Sequence, residues 1–65
     1  MAKRTIFSDD NNNELETYVN SDGKLLINVG QLKDQYYSGH ITLEKEDVEE
    51  LIKILEELKE ELFHQ

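Results

Sequence analysis

Leu15-Glu16-Thr17-Tyr18-Val19-Asn20-Ser21-Asp22-Gly23-Lys24-Leu25-Leu26-Ile27-Asn28-Val29 is the stretch on which the fold depends. Before the central Ser21-Asp22-Gly23, Leu15, Thr17 and Val19 alternate with Glu16 and Tyr18. After it, Leu25, Ile27 and Val29 alternate with Leu26 and Asn28. A period of two, with β-branched and aromatic residues, is the signal of a half-buried strand. Ser21-Asp22-Gly23 suits a three-residue hairpin loop with Gly23 in the left-handed position of a bulge. That loop pairs Asn20 with Lys24, Val19 with Leu25, Thr17 with Ile27 and Leu15 with Val29. Both apolar sets then fall on one face, as a fixed register requires. A four-residue loop would set Val19 against Lys24 and mix the faces, so the three-residue loop is expected.

Outward from this hairpin, two further segments read as strands. Residues 3–8 contain Thr5, Ile6 and Phe7, and Asp9-Asp10-Asn11-Asn12-Asn13 is a polar turn cluster leading into the next strand. Residues 36–43 alternate Tyr37, Gly39, Ile41 and Leu43 against Tyr36, Ser38, His40 and Thr42, after a looser connection over 30–35. A helix follows. Val48, Leu51, Leu55, Leu58 and Leu62 are spaced three, four, three, four, an unbroken apolar seam. Ile52, Ile54 and Phe63 widen it to about half the circumference. Glu and Lys residues cover the rest, with Glu49 and Lys53 at a favourable i,i+4 spacing. Leu43 and Val48 have the spacing of a hydrophobic staple around an N-cap at Glu44, with Thr42 the alternative cap.

The fold class expected is α+β: an antiparallel β-meander of four strands, or of three, followed by one C-terminal amphipathic helix packed across one sheet face. The whole chain, 1–65, is read as one domain, with strands at 3–8, 14–20, 24–29 and 36–43 and the helix at 45–63. Leu15, Val19, Leu25, Ile27, Val29 and Ile41 are the expected sheet side of the core, closed by the helix seam.

Composition narrows the functions open to such a chain. It has 65 residues and no Cys, which removes disulfides, Cys-ligated zinc and thiol catalysis together. A domain of this size buries only about 60% of the surface its unfolded chain exposes. Oligomerisation is the remaining way to supplement its core, so a homodimer or higher oligomer is expected. Lack of Cys also fits a reducing cytoplasm, where the protein is expected to reside. The formal net charge is −8. Nucleic acids and anionic membrane surfaces both attract cationic patches, and Lys3-Arg4 is the best basic cluster present. Direct nucleic-acid binding and membrane association are therefore not expected. No apolar run reaches the length of a membrane span or signal core.

Candidate chemistry is sparse. Asp9, Asn11 and Asn13 match the first, third and fifth positions of a calcium loop. Glu14 stands where that loop needs Gly, and Asn20 where it needs a bidentate Glu. The segment therefore reads as a turn and not as a metal site. His40 shares a strand face with Ser38 and Tyr36, but no third group of a catalytic arrangement is indicated. No cofactor motif is present, and the chain is expected not to be an enzyme. The face turned away from the helix is the better candidate. The hairpin register sets Tyr18 opposite Leu26 there, with Tyr36 and His40 on the same side. Tyrosine joins apolar area to a polar tip, so Tyr18, Leu26, Tyr36 and His40 are the expected protein-interaction residues.

Tyr36-Tyr37-Ser38-Gly39-His40-Ile41-Thr42-Leu43, running into Glu46-Asp47-Val48-Glu49-Glu50-Leu51, resembles the C-terminal part of small uncharacterised proteins encoded by phages and mobile elements. In those, a strand leads straight into an acidic amphipathic helix. The resemblance covers about the last half of the chain and carries over no functional residue. It implies an accessory or anti-defence protein that acts by binding a host protein. An alternative reading is an acidic inhibitor that imitates a nucleic-acid backbone. Residues 44–65 hold nine acids against three lysines, most of the net negative charge.

Overall fold

The structure, a computed structural model, describes residues 3–31 and 37–64. Its elements are β1 (Thr5–Ser8), β2 (Asn13–Val19), β3 (Leu25–Gln31), β4 (Gly39–Leu43) and α1 (Lys45–Phe63). The four strands form one antiparallel sheet in the order β1-β2-β3-β4. The chain is thus an α+β meander with one C-terminal helix, as expected.

The central hairpin has the expected register. Val19 pairs with Leu25, Thr17 with Ile27 and Leu15 with Val29. Gly23 has φ 75°, the left-handed conformation that a glycine adopts without steric cost. The Asn20 amide donates to the Lys24 carbonyl at 2.8 Å, closing the loop. The Asn20 side-chain oxygen accepts from the Asp22 and Lys24 amides, both at 3.0 Å.

The first hairpin repeats this design. The Asp9 amide donates to the Asn13 carbonyl at 3.0 Å, and Asn12 takes the left-handed position with φ 65°. The Asp9 carboxylate accepts from the Asn11 and Asn13 amides at 2.9 Å and from the Asn13 side-chain amide at 3.1 Å. These bonds, the one from the Asn13 side chain above all, hold the Asp9 carboxyl below its ordinary range. Asp9 is therefore occupied as the brace of a turn. Ser8 and Glu14 pair just beyond it, and Thr5 pairs with Thr17.

The fourth strand is shorter than expected, Gly39–Leu43 instead of 36–43. Tyr36 lies outside the described residues. Tyr37 and Ser38 instead lie back against β3, where the Ser38 hydroxyl donates to the Val29 carbonyl at 3.1 Å.

Good helix formers and the absence of Gly and Pro make α1 continuous over its 19 residues. Glu44 is its N-cap, in extended conformation (φ −85°, ψ 170°). The Glu44 amide reaches Asp47 Oδ2 at 3.4 Å, a long contact, and its carbonyl accepts from Val48 at 2.9 Å. Glu46 and Asp47 suit the positive end of the helix dipole. No basic residue occupies the last turn.

The packing of the helix departs from expectation. It meets the sheet at β4, with Val48 and Leu51 half-buried, and the rest of the seam stands in water. Leu55 is 53% exposed, Leu62 68% and Phe63 75%. The helix therefore does not lie across a sheet face. The cause is local: Glu44 alone separates Leu43, the end of an edge strand, from Lys45. One extended residue carries the chain onward and leaves no room for the turn that would bring a helix back.

The expected core changes with it. Leu15, Val19, Leu25, Ile27, Val29 and Ile41 do share one face, but Val19, Val29 and Ile41 are about half exposed and no described hydrophobic residue is buried. The Cα radius of gyration is 13.5 Å, against about 10.7 Å for a compact domain of this length.

Candidate functional site

Strand alternation divides the sheet into two faces of opposite character. The odd-numbered face carries Thr5 and Phe7 from β1, Leu15, Thr17 and Val19 from β2, and Leu25, Ile27 and Val29 from β3. Gly39, Ile41 and Leu43 from β4 complete it. It contains no charged side chain. Phe7 is 62% exposed, and with Leu15 and Val29 it lines a shallow notch beside the Asp9 loop.

The even-numbered face is polar and better covered. Glu16, 6% exposed, is the buried polar side chain of the described residues. Its Oε2 accepts from Arg4 Nε at 2.8 Å and its Oε1 from Asn28 Nδ2 at 2.9 Å. The Arg4 guanidinium also lies 5.4 Å from the centre of the Tyr18 ring, in cation–π range. Next along the face, the Tyr37 hydroxyl donates to Glu14, and Tyr37 packs over Gly30. Gly30 eases that approach, since a Cβ there would stand 3.1 Å from the Tyr37 Cα, close enough that residues 37–38 would have to shift by a few tenths of an ångström. The bond to Glu14, then desolvation, then the charge of Glu14 push the Tyr37 phenol up to about 12.

The expected interaction residues are only partly brought together. Tyr18 pairs with Leu26, and His40 follows on the same face opposite Asn28. Tyr18 and Leu26 are half-buried, with Arg4 laid over Tyr18, while His40 is exposed. Ser38, the suggested companion of His40, is engaged with the Val29 carbonyl. Glu16, Arg4 and Tyr37 organise this face and were not anticipated. A three-residue reading of the Asp9–Asn13 loop places Arg4 beside Tyr18 and Glu16 and is the signal that finds that pair; Tyr37, which alternation groups with Ile41, instead meets Glu14 on this face.

The larger opening lies elsewhere. The uncharged sheet face and the seam of α1 form two apolar surfaces, both facing water. The accessible surface totals 5744 Å². A compact monomer of 7.6 kDa exposes about 4,300 Å², so this chain shows about 1,400 Å² in excess. Large apolar side chains contribute to that surface, Phe7, Val19 and Ile41 on the sheet and Leu55, Leu62 and Phe63 on the helix among them. No helix among the described residues is long and apolar enough to cross a membrane.

Comparison of the chain with protein-family models, with curated proteins and with solved structures returns no match.

Proposed function

We propose that this chain is a small acidic protein-interaction module, acting by association and not by catalysis. The observation that carries the reading is the pair of uncovered apolar surfaces, the uncharged sheet face and the α1 seam. A patterned apolar face costs free energy in water unless something covers it. The braced turns and the Arg4–Glu16–Asn28 network hold these surfaces on a defined scaffold. Tyr18, Leu26 and His40 offer a second, more polar surface on the opposite face. An accessory protein that binds a host protein, as the resemblance of residues 36–51 implies, is one setting for such a module.

Affinity capture from the source cell tests the reading. The wild-type chain should retain a defined protein that a chain carrying both Ile27→Glu and Leu58→Glu loses. Identical retention by both chains would overturn it.

The acidic-mimic reading has one observation in its favour. Nine acids against three lysines over residues 44–65 sit on or beside a helix that stands in water. It is second because the same helix exposes a continuous apolar seam, which an electrostatic mimic does not need. Capture that vanishes at high salt would favour the mimic, and capture that survives would favour apolar docking.

A further inference from the structure

We propose that the first occupant of the open apolar surfaces is a second copy of this chain, joined by reciprocal exchange of helices. The α1 seam of each protomer lies on the uncharged, odd-numbered sheet face of the other. The proposal rests on the interaction reading above and names its primary partner.

Four observations lead to it. The first is the hinge. With Glu44 as the only residue between β4 and α1, the helix does not return to its own sheet face. Short connections of this kind favour exchange of an identical element between protomers. Beyond its contact with β4 the helix leaves its seam in water, and the apolar sheet face needs a cover of the same kind.

The second is dimension. Val48 to Leu62 spans about 21 Å along a helix. The seven-residue strands β2 and β3 run about 23 Å each. The seam and the uncovered face have matching lengths.

The third is area. An excess of about 1,400 Å² per chain, doubled, gives roughly 2,800 Å², inside the range of obligate homodimers and above the standard interface of about 1,600 Å². Covering the excess on both chains returns each to the exposure of a compact protein. The width of the seam adds to this. Val48, Leu51, Leu55, Leu58 and Leu62 alone would serve two helices wound together, whereas Ile52 and Ile54 flank that stripe and are also exposed. A sheet covers the wider stripe.

The fourth is charge. A chain of net charge −8 repels its own copy. The odd face carries no charge, and beyond Asp47 in the first turn the acids of α1 lie outside the seam, so the helix-on-sheet contact sets no carboxylate against another. The resulting contact is symmetric about a two-fold axis, with helix-on-sheet packing made twice.

Sedimentation and light scattering of the full chain, from low micromolar to hundred-micromolar, test the proposal. Wild type should show twice the 7.6 kDa chain mass. Ile27→Glu on the sheet and Leu58→Glu on the helix should each weaken the dimer roughly 100-fold. Misfolding of either variant would give the same loss, so the decisive variant leaves both surfaces intact. Four flexible residues, Gly-Ser-Gly-Ser, are inserted between Glu44 and Lys45. The helix can then close on its own sheet, and the variant should become monomeric with unchanged helical circular dichroism. An insertion variant that dimerises as tightly as wild type would overturn exchange in favour of edge-strand or helix–helix pairing. A wild type that is monomeric throughout would overturn self-association as a whole. The capture experiment above is scored independently, so a monomer that still retains a foreign protein refutes this proposal and leaves the interaction reading standing.

Discussion

Removing the carboxylate of Glu16 should cost the sheet about 2 kcal/mol, a value that follows from its two partners. Asn28 Nδ2 is half-buried and donates to Glu16 at 2.9 Å; truncation leaves that donor unpaired, at roughly 1–3 kcal/mol. The Arg4 side chain is 62% exposed, so water takes back its guanidinium and the lost ion pair adds under about 1 kcal/mol. Arg4→Ala should cost about 1 kcal/mol, from the same pair and from the weak stacking over Tyr18. The two effects are not independent, since both remove one contact. The double variant should therefore fall short of additivity by about 0.5–1 kcal/mol. Urea denaturation followed by circular dichroism, at one fixed protein concentration, provides the measurement. The concentration must be fixed because any association shifts apparent stability. For a chain this short, 2 kcal/mol corresponds to roughly 8–16 °C in Tm. A Glu16→Ala loss below about 0.5 kcal/mol, or full additivity with Arg4→Ala, would refute the view that this network holds the first three strands in register.

Other expectations concern the turns and the polar face. Gly23→Ala forces a Cβ into a left-handed conformation (φ 75°) and should cost about 1 kcal/mol, although nothing lies within 4 Å of the new atom. Gly23→Asn should cost less, and a thermal melt of the pair separates backbone strain from crowding. Gly30→Ala should cost about 1–3 kcal/mol for the opposite reason, because its Cβ would press on the Tyr37 backbone; retained stability would show that residues 37–38 yield freely. The neutral Tyr37 phenol is the form that donates to Glu14. Its folded value of about 12 lies above the ordinary 10.0, so its contribution is complete below pH 10 and is lost as pH rises toward 12. Phenolate absorbance should therefore show one tyrosine titrating late, and Glu14→Gln should bring it back toward its ordinary value.

Much of the local structure was legible from residue spacing. The alternation around Ser21-Asp22-Gly23 specified both the loop length and the register from Leu15 to Val29, because only one register keeps the apolar sets together. The 3-4-3-4 seam defined α1 over 45–63. What the pattern did not reveal is how the helix is placed. Periodicity says that Leu55, Leu58 and Leu62 share a side; it does not say which surface meets that side, or in which chain. That depends on the single-residue junction at Glu44, whose length was visible but whose consequence is three-dimensional. The Arg4–Glu16 pair went unread for a related reason: the Asp9–Asn13 turn uses Asn12 in the place that Gly23 marks openly in the second turn.

The likeness of those two turns also orders events in time. Each strand of the meander pairs with its immediate neighbour in sequence, and the two hairpin loops among the described residues are closed by side chains of their own, Asp9 in one and Asn20 in the other. A topology of such low contact order zippers quickly from its turns, without waiting for a distant segment. The sheet can thus be complete before its apolar face is covered. For an exchanged dimer the slow step is then the encounter of two finished sheets, second order in protein, so refolding should separate into a fast phase indifferent to dilution and a slower one that lengthens with it.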